Sequence, residues 1–511
     1  MDLLIPTILI TLLLLLFLIK PLLSNPKLHK TKHLKLPPSP PSLPFIGHLH
    51  LFKKPLHHTL SSLSSLRGPC FLLNFSSRRL LIISSYSLAL QCFTTLDLIF
   101  ATRPRLPSGR FLTYNYTTIG FSPYGPHWRT LRRIVAHHLF SNARLQSLVS
   151  TRTTELTSLL HHLYNTSSSS SSSSFTKVEL RPKLFELVLN VLMMGVAGKR
   201  YSSEAQARRF FEMVRGTFMF SGTSNLRDFL PKIFRFFDFQ GTKKRLAWLE
   251  SEWDLHLQGL IDEERIKHAR DDQSEEKTMI GVLLSLQQEN PESYPDRFIK
   301  ALFLSLLMAG TDTSTATLEW AMSLLLNHPE KLKKAQEEID EQIEHGRLIQ
   351  ESDLPNLPYL QGIINETLRL YPATPLLLPH ESMQDCELNG FHIPQGTILL
   401  VNVYAMHRDP DIWGAGAGEF RPERYEEESG RDLSKMMMPF GMGRRRCPGE
   451  GLALKLIGLA LGALIQCFEW ERLGKEMVDM KEALGMSMPK AHPLEALYKP
   501  RSSMISVLSN L

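Results

Sequence analysis

Hydrophobic and polar positions divide the chain into an uncharged leader, a short polar and proline-rich stretch, and a long body with mostly helical periodicity. Leu3 to Ile19 is a run of 17 residues without charge, almost all Leu and Ile. As a helix it would span roughly 26 Å, close to the thickness of a bilayer's hydrocarbon core. Asp2 precedes the run, no small-residue cleavage site follows it, and Lys20, Lys27, Lys30, Lys32 and Lys35 come after it. That charge order predicts a retained transmembrane anchor over residues 1–23, with the body on the cytosolic side, over a cleaved signal peptide. Residues 24–47 are basic and then proline-rich. Five prolines between Pro37 and Pro44 exclude a helix and favour a stiff, extended hinge.

In the body, Leu246–Arg270 is amphipathic and densely charged. Arg297–Asn327 is apolar on all sides, which predicts a helix running through the core. Leu324–Gln342 is amphipathic with a break at His328-Pro329. Tyr359–Tyr371 stops at Pro372, as the restriction on the residue before proline requires, and Gly449–Phe468 is again almost wholly apolar. Strand patterns are few: Cys70–Phe75, Leu80–Ser84, Cys386–Ile393 and Thr397–Asn402. The predicted class is mainly α with a small β portion. Eight serines, Ser167 to Ser174, read as a solvated surface loop.

Composition changes this picture only by exclusion. With 511 residues, 43% hydrophobic and 21% charged, the chain can bury a large core and is not globally disordered. Its five cysteines, Cys70, Cys92, Cys386, Cys447 and Cys467, include no CxxC pair, which excludes a disulfide scaffold, a zinc ribbon and a thioredoxin-type motif. The formal charge of +7 does not by itself choose between nucleic acid, membrane and acidic protein partners.

The strongest chemical signal is Pro439-Phe440-Gly441-Met442-Gly443-Arg444-Arg445-Arg446-Cys447-Pro448-Gly449. Cys447 stands at the predicted start of an apolar helix, with Pro448 as its first residue, where free N–H groups favour a thiolate. Gly441 and Gly443 permit close approach of backbone to a flat ligand, and the adjacent arginines can neutralise ligand carboxylates. Together these suit haem held by an axial cysteine; an inert buried cysteine would explain neither the glycines nor the arginines. The second signal is Ala309-Gly310-Thr311-Asp312-Thr313-Ser314, within the most apolar helix. Gly310 is expected to leave space beside the backbone, threonine back-bonding to open a bulge, and Asp312 with Thr313 to relay protons. The third is Glu366 and Arg369, which share a helix face at i and i+3, with Arg424 in Phe420-Arg421-Pro422-Glu423-Arg424 as a second cation.

In order and spacing, the proline hinge, Trp128 to Arg132, Ala309 to Ser314, Glu366 to Arg369, Phe420 to Arg424 and Phe440 to Gly449 resemble the microsomal cytochrome P450 haem-thiolate monooxygenases. The resemblance covers the chain from the anchor onward. It implies the cytochrome P450 fold over 48–511, with haem b bound through Cys447 and its propionates met by Trp128, Arg132, His380 and Arg445. Phe440 and Gly443 would complete the cofactor loop. Asp312 and Thr313 would deliver protons for O–O cleavage, and Glu366, Arg369 and Arg424 would form a buried structural triad. Phe111, Tyr114, Phe121, Ala309, Thr374 and Leu377 would line the substrate pocket. Electrons would come from NADPH through a separate flavoprotein, NADPH–cytochrome P450 reductase, docking on a loop surface that carries Lys435, Arg444 and Arg446. The location would be the endoplasmic reticulum membrane, with no nucleic-acid partner. Tyr114-Asn-Tyr-Thr-Thr and Ala309-Gly-Thr-Asp-Thr-Ser look like the plant group that contains isoflavone hydroxylases and lignan bridge-forming oxidases. That implies hydroxylation or ring coupling of a phenolic substrate of flavonoid, lignan or benzophenone/xanthone type. Two other readings stay open at this level: a reductase-independent haem-thiolate isomerase or dehydratase of hydroperoxides, and a membrane-tethered haem or sterol-like binding protein. His407-Arg408-Asp409 mimics a kinase triplet, but no Gly-rich loop with its lysine precedes it.

Overall fold

The computed structural model describes residues 35–168, 174–201, 204–221, 225–230, 241–269, 278–426 and 428–511. The expected anchor, the first part of the hinge and residues 169–173 of the serine run lie outside them. The described part of the hinge is irregular and docked on the body. Proline removes donors but leaves carbonyls to be satisfied. Accordingly, the Pro38 carbonyl accepts from the Leu72 N–H at 2.8 Å, and that of Pro40 pairs with the His48 ring at 2.8 Å.

Nine helices carry the argument: α1 (Leu56–Arg67), α2 (Pro126–His138), α3 (Leu180–Ala197), α4 (Glu204–Phe220), α5 (Thr242–Ala269), α6 (Asp296–Asn327), α7 (Pro329–Gln342), α8 (Pro358–Leu370) and α9 (Glu450–Cys467). α6 is buried around most of its circumference, as its sequence predicts, and packs against α3 and α9. Each fully buried Leu or Phe there contributes about 1.5–3 kcal/mol relative to exposure. α7 and α8 both open on proline, in the first turn where a missing N–H is tolerated. α9 is long and apolar enough to cross a membrane, but it is largely buried within the fold and serves as a core helix.

The strands are β1 (Cys70–Phe75), β2 (Arg78–Ile83), β3 (Thr176–Glu179), β4 (His380–Glu381), β5 (Cys386–Leu388), β6 (Phe391–Ile393), β7 (Ile398–Val401), β8 (Phe468–Arg472) and β9 (Glu495–Pro500). They form sheets ordered β1-β2-β7-β4, β3-β9-β8 and β5-β6. In the first sheet β2 pairs parallel with β7, bringing Leu80 opposite Ile398, while the other pairings are antiparallel. Side chains alternate between two cores: Leu72, Leu81, Ile83 and Leu399 on one face, Phe71, Leu73, Leu80 and Ile82 on the other. The expected single strand Cys386–Ile393 is instead a hairpin. Asn389 (φ 52°) and Gly390 (φ 71°) take the positive φ that a two-residue turn demands.

Candidate active site

Cys447 lies between a short helical turn at Gly443–Arg445 and α9. α9 begins at Glu450 with Gly449 as its N-cap, so Cys447 stands three residues ahead of the helix and Pro448 is not its first residue. The Cys447 N–H closes the loop on the Phe440 carbonyl at 2.9 Å. Burial pushes the thiol above its ordinary value, outweighing the N–H groups of Gly449 and Glu450 and the Arg132 charge that favour thiolate. A coordinated metal ion deprotonates a thiol outright. The side chain opens onto an interior cavity of about 290 Å³, whose wall also holds Phe440, Gly441 and Pro448. Gly443 does not face this cavity. Its φ is 67°, and a Cβ there would meet the Phe93 carbonyl at 2.6 Å and the Asp97 carboxylate. The glycine is required by packing against the 93–97 segment and not by approach to a ligand.

Beside the cysteine, cationic groups gather without a counter-charge. Arg445 donates to the carbonyls of Ala101 and Ser122, both at 2.6 Å, and its guanidinium stands 4.4 Å from the Trp128 ring centroid. Arg132 donates to the Arg446 carbonyl at 2.9 Å. Arg103, which no sequence pattern marked, donates to the carbonyls of Gly120 at 3.0 Å and of Leu378 and Pro379 at 2.8 Å. Among the described residues lining the cavity none is acidic. Burial, then the Arg132 charge, pushes Arg445 down to about 9; burial, then Arg445, pushes Arg103 well below its usual range. Buried cations bonded only to neutral carbonyls are costly until an anion arrives. A thiol-ligated flat group carrying carboxylates fits this donor set. His380 also lines the cavity, fully buried, with Nδ1 bonded to the Phe100 carbonyl at 2.7 Å. Burial, then Arg103, keeps its pKa well below the usual value. A neutral ring that donates from Nδ1 leaves Nε2 an acceptor, so Arg103 is the better carboxylate partner.

Across the cavity, α6 presents Ala309, Gly310 and Thr313. The expected bulge is absent. Thr311, Thr313 and Thr317 each bond the carbonyl four residues earlier, Thr313 Oγ1 at 2.6 Å from Ala309 O, within continuous helix. Gly310 leaves space beside the backbone that a Leu192 methyl fills, since a Cβ there would meet it at 2.6 Å. Asp312 does not line the cavity. Successive helical residues point about 100° apart, and its carboxyl enters a cleft on another flank with Arg181, Arg215, Ser487 and Lys490. Burial raises its pKa against the opposing pull of Ser487 and the two arginines, and Oδ2 has no partner.

Phe121, Thr374 and Leu377 line the cavity with Ala309, whereas Phe111 and Tyr114 do not. Phe111 packs with Leu112, Leu246 and Leu249, and the Tyr114 hydroxyl donates to Asp254 on α5 at 3.2 Å. Tyr114 opens a left-handed turn: Tyr114, Asn115 and Tyr116 have φ of 47°, 57° and 66°. Such a turn is costly for L-residues and persists only when anchored. Arg297 Nη2 holds the Tyr114 carbonyl at 3.1 Å, and the Tyr116 hydroxyl holds Leu106 O at 2.8 Å. Behind the cysteine loop, Arg369 makes two 2.7 Å bonds to Glu366, and Arg424 Nε reaches the same carboxylate at 3.5 Å. His407, dismissed with the kinase-like triplet, joins this group to the loop. Its Nε2 accepts the Met438 N–H at 3.1 Å, and Arg369 bonds its carbonyl at 2.6 Å.

The cytochrome P450 family model matches residues 37–495. The chain is 49% identical to cytochrome P450 81Q32 of Catharanthus roseus, covering 93% of each chain. It is 45% identical to an isoflavone 2'-hydroxylase of Glycyrrhiza echinata, covering 92% of this chain and 93% of that one. It is 44% identical to the (+)-piperitol/(+)-sesamin synthase CYP81Q2 of Sesamum radiatum, covering 96% of each. Among solved structures, a zebrafish cytochrome P450 with progesterone superposes with a TM-score of 0.72 at 27% identity, covering 88% of this chain and 100% of that one.

Proposed function

The chain belongs to the cytochrome P450 family, and from that premise we propose that this monooxygenase hydroxylates, or oxidatively couples or closes rings of, a phenolic plant metabolite of flavonoid, lignan or benzophenone/xanthone type. As a member it holds a thiolate-ligated haem iron and takes electrons from a separate redox partner. The haem, when bound, supplies the activation of O2 by those electrons. Cys447 ligates the iron, and Arg103, Arg132 and Arg445, with Trp128, hold the carboxylates. The Thr313 hydroxyl gives its own proton to the Ala309 carbonyl and offers an acceptor to the cavity, where it can hold a water for proton transfer. Asp312, its pKa raised by burial, lies on the neighbouring flank of α6, outside the cavity. Apolar walls at Phe121, Ala309 and Leu377 exclude bulk water and seat an aromatic ring, with Thr374 as a polar contact. Residues 1–23 anchor the protein in the endoplasmic reticulum membrane, 24–47 connect the anchor to the body, and NADPH–cytochrome P450 reductase is the donor.

The observation that carries the substrate class is near-full-length similarity to both an isoflavone hydroxylase and a piperitol/sesamin synthase. Microsomes containing this protein and a reductase, supplied with NADPH and a panel of isoflavones, lignans and benzophenones, should yield a product that gains one oxygen or loses two hydrogens. Turnover confined to non-phenolic substrates, or turnover independent of NADPH, would overturn the proposal.

A further inference from the structure

Two adjacent histidines at the start of α1 converge on one carboxylate from the far end of the sequence. His57 Nε2 lies 2.7 Å and His58 Nε2 3.0 Å from Glu482 Oε2. Neighbouring helical side chains diverge by about 100°, so the helix does not impose this convergence. The rings lie 4.6 Å apart and both pack on Tyr404, at 4.8 and 4.7 Å. One ligand atom from each of the three residues lies within 4.8 Å of the others. The nearby cation, Arg408, stacks 3.7 Å from the Tyr404 ring centroid and directs its donors to the carbonyls of Leu370 and Tyr404.

We infer that His57, His58 and Glu482 form a binding site for one zinc-type divalent ion, separate from the haem cavity. Two imidazoles and one carboxylate match zinc, whereas magnesium and calcium select oxygen-rich shells. Metal–ligand bonds of roughly 2.0–2.2 Å in tetrahedral geometry put ligand atoms about 3.4 Å apart. The two hydrogen-bond separations must therefore open by about half an ångström. His57 is fixed, its side chain 7% exposed and its carbonyl bonded by Asn402, but His58 is 46% exposed and can shift. That exposure also gives an ion a way in from solvent. The segment that carries Glu482 also carries Met486, which lines the haem cavity. A bound ion would thus fasten α1 to a segment of the cavity wall.

The test uses full-length holoenzyme treated with chelator and then titrated with zinc against a competing fluorescent chelator. The wild type should bind one equivalent. His58→Gln and Glu482→Gln should each weaken that binding at least tenfold, because loss of a direct ligand exceeds the roughly 10–100-fold cost of losing an outer-shell contact. The haem spectrum reports that each variant is folded, and excess magnesium should not compete. Undiminished affinity in both variants, or no stoichiometric binding by the wild type, would overturn the assignment and leave the three side chains a hydrogen-bonded clasp.

Discussion

His407 shows how a single ring can depend on its neighbours for both position and charge. It is fully buried, accepts the Met438 N–H on Nε2 and faces the Arg369 carbonyl with Nδ1 at 3.2 Å. Accepting on Nε2 needs a neutral ring with its proton on Nδ1, where it donates to the carbonyl. Burial, then the charges of Arg369 and Arg408, holds its pKa at about 3 against an ordinary 6.5. Between those values the unfolded chain binds the proton and the folded protein does not, so stability falls as pH drops through the window. Thermal unfolding should shift to lower temperature from about pH 6.5 toward 3, and the already weakened His407→Gln variant should lose less over the same range. An equal slope in both would show that other groups set the acid response. Beside it, Glu366 and Arg369 form a buried pair whose rupture would cost about 3–5 kcal/mol. The pair and Arg424 were legible in the sequence because i, i+3 spacing and motif order survive as text. His407 and Arg103 were not, because each bonds to backbone groups, and a backbone carbonyl leaves no mark on residue identity.

At the scale of elements, apolar periodicity placed α6, α8 and α9 to within a residue or two, since long buried helices carry strong patterns. It could not mark β8, which starts at Phe468 directly from the last residue of α9 within one apolar run. Nor could it mark β3, whose side chains alternate between partly and fully exposed. The left-handed turn at Tyr114–Tyr116 was not legible, because no glycine announced it. The helix that carries Thr313 gives a sharper prediction. Its hydroxyl bonds only the Ala309 carbonyl, so Thr313→Ala should leave folding and haem content nearly unchanged. It should nonetheless divert NADPH electrons to peroxide or water. Product-to-NADPH ratios measure this, and unchanged coupling would reduce Thr313 to a packing residue.

For the whole molecule, charge arrangement decides how an electron donor approaches. Lys435, Arg444 and Arg446, expected on the docking surface, stay exposed with ion-pair partners Asp432 at 2.7 Å, Asp97 at 3.1 Å and Glu450 at 2.6 Å. The exposed face of α2 also carries Arg129 and Arg133, which have no ion-pair partner among the described residues, while Arg132 reaches the cysteine loop from the same helix. Reversing Arg129 and Arg133 to Glu should slow the first haem reduction by an electron donor whose docking face is acidic, and added salt should narrow the gap from wild type. Stopped-flow reduction that is equal in both proteins at low salt would remove α2 from the docking surface. The proposed function rests on one atom, the Cys447 sulfur. The spectrum of the reduced CO complex, compared between wild type and Cys447→Ser, tests that point most directly. The wild type should give the thiolate-type band and the variant should lose both the band and turnover. A variant that keeps both would contradict the assignment of Cys447 as the iron ligand.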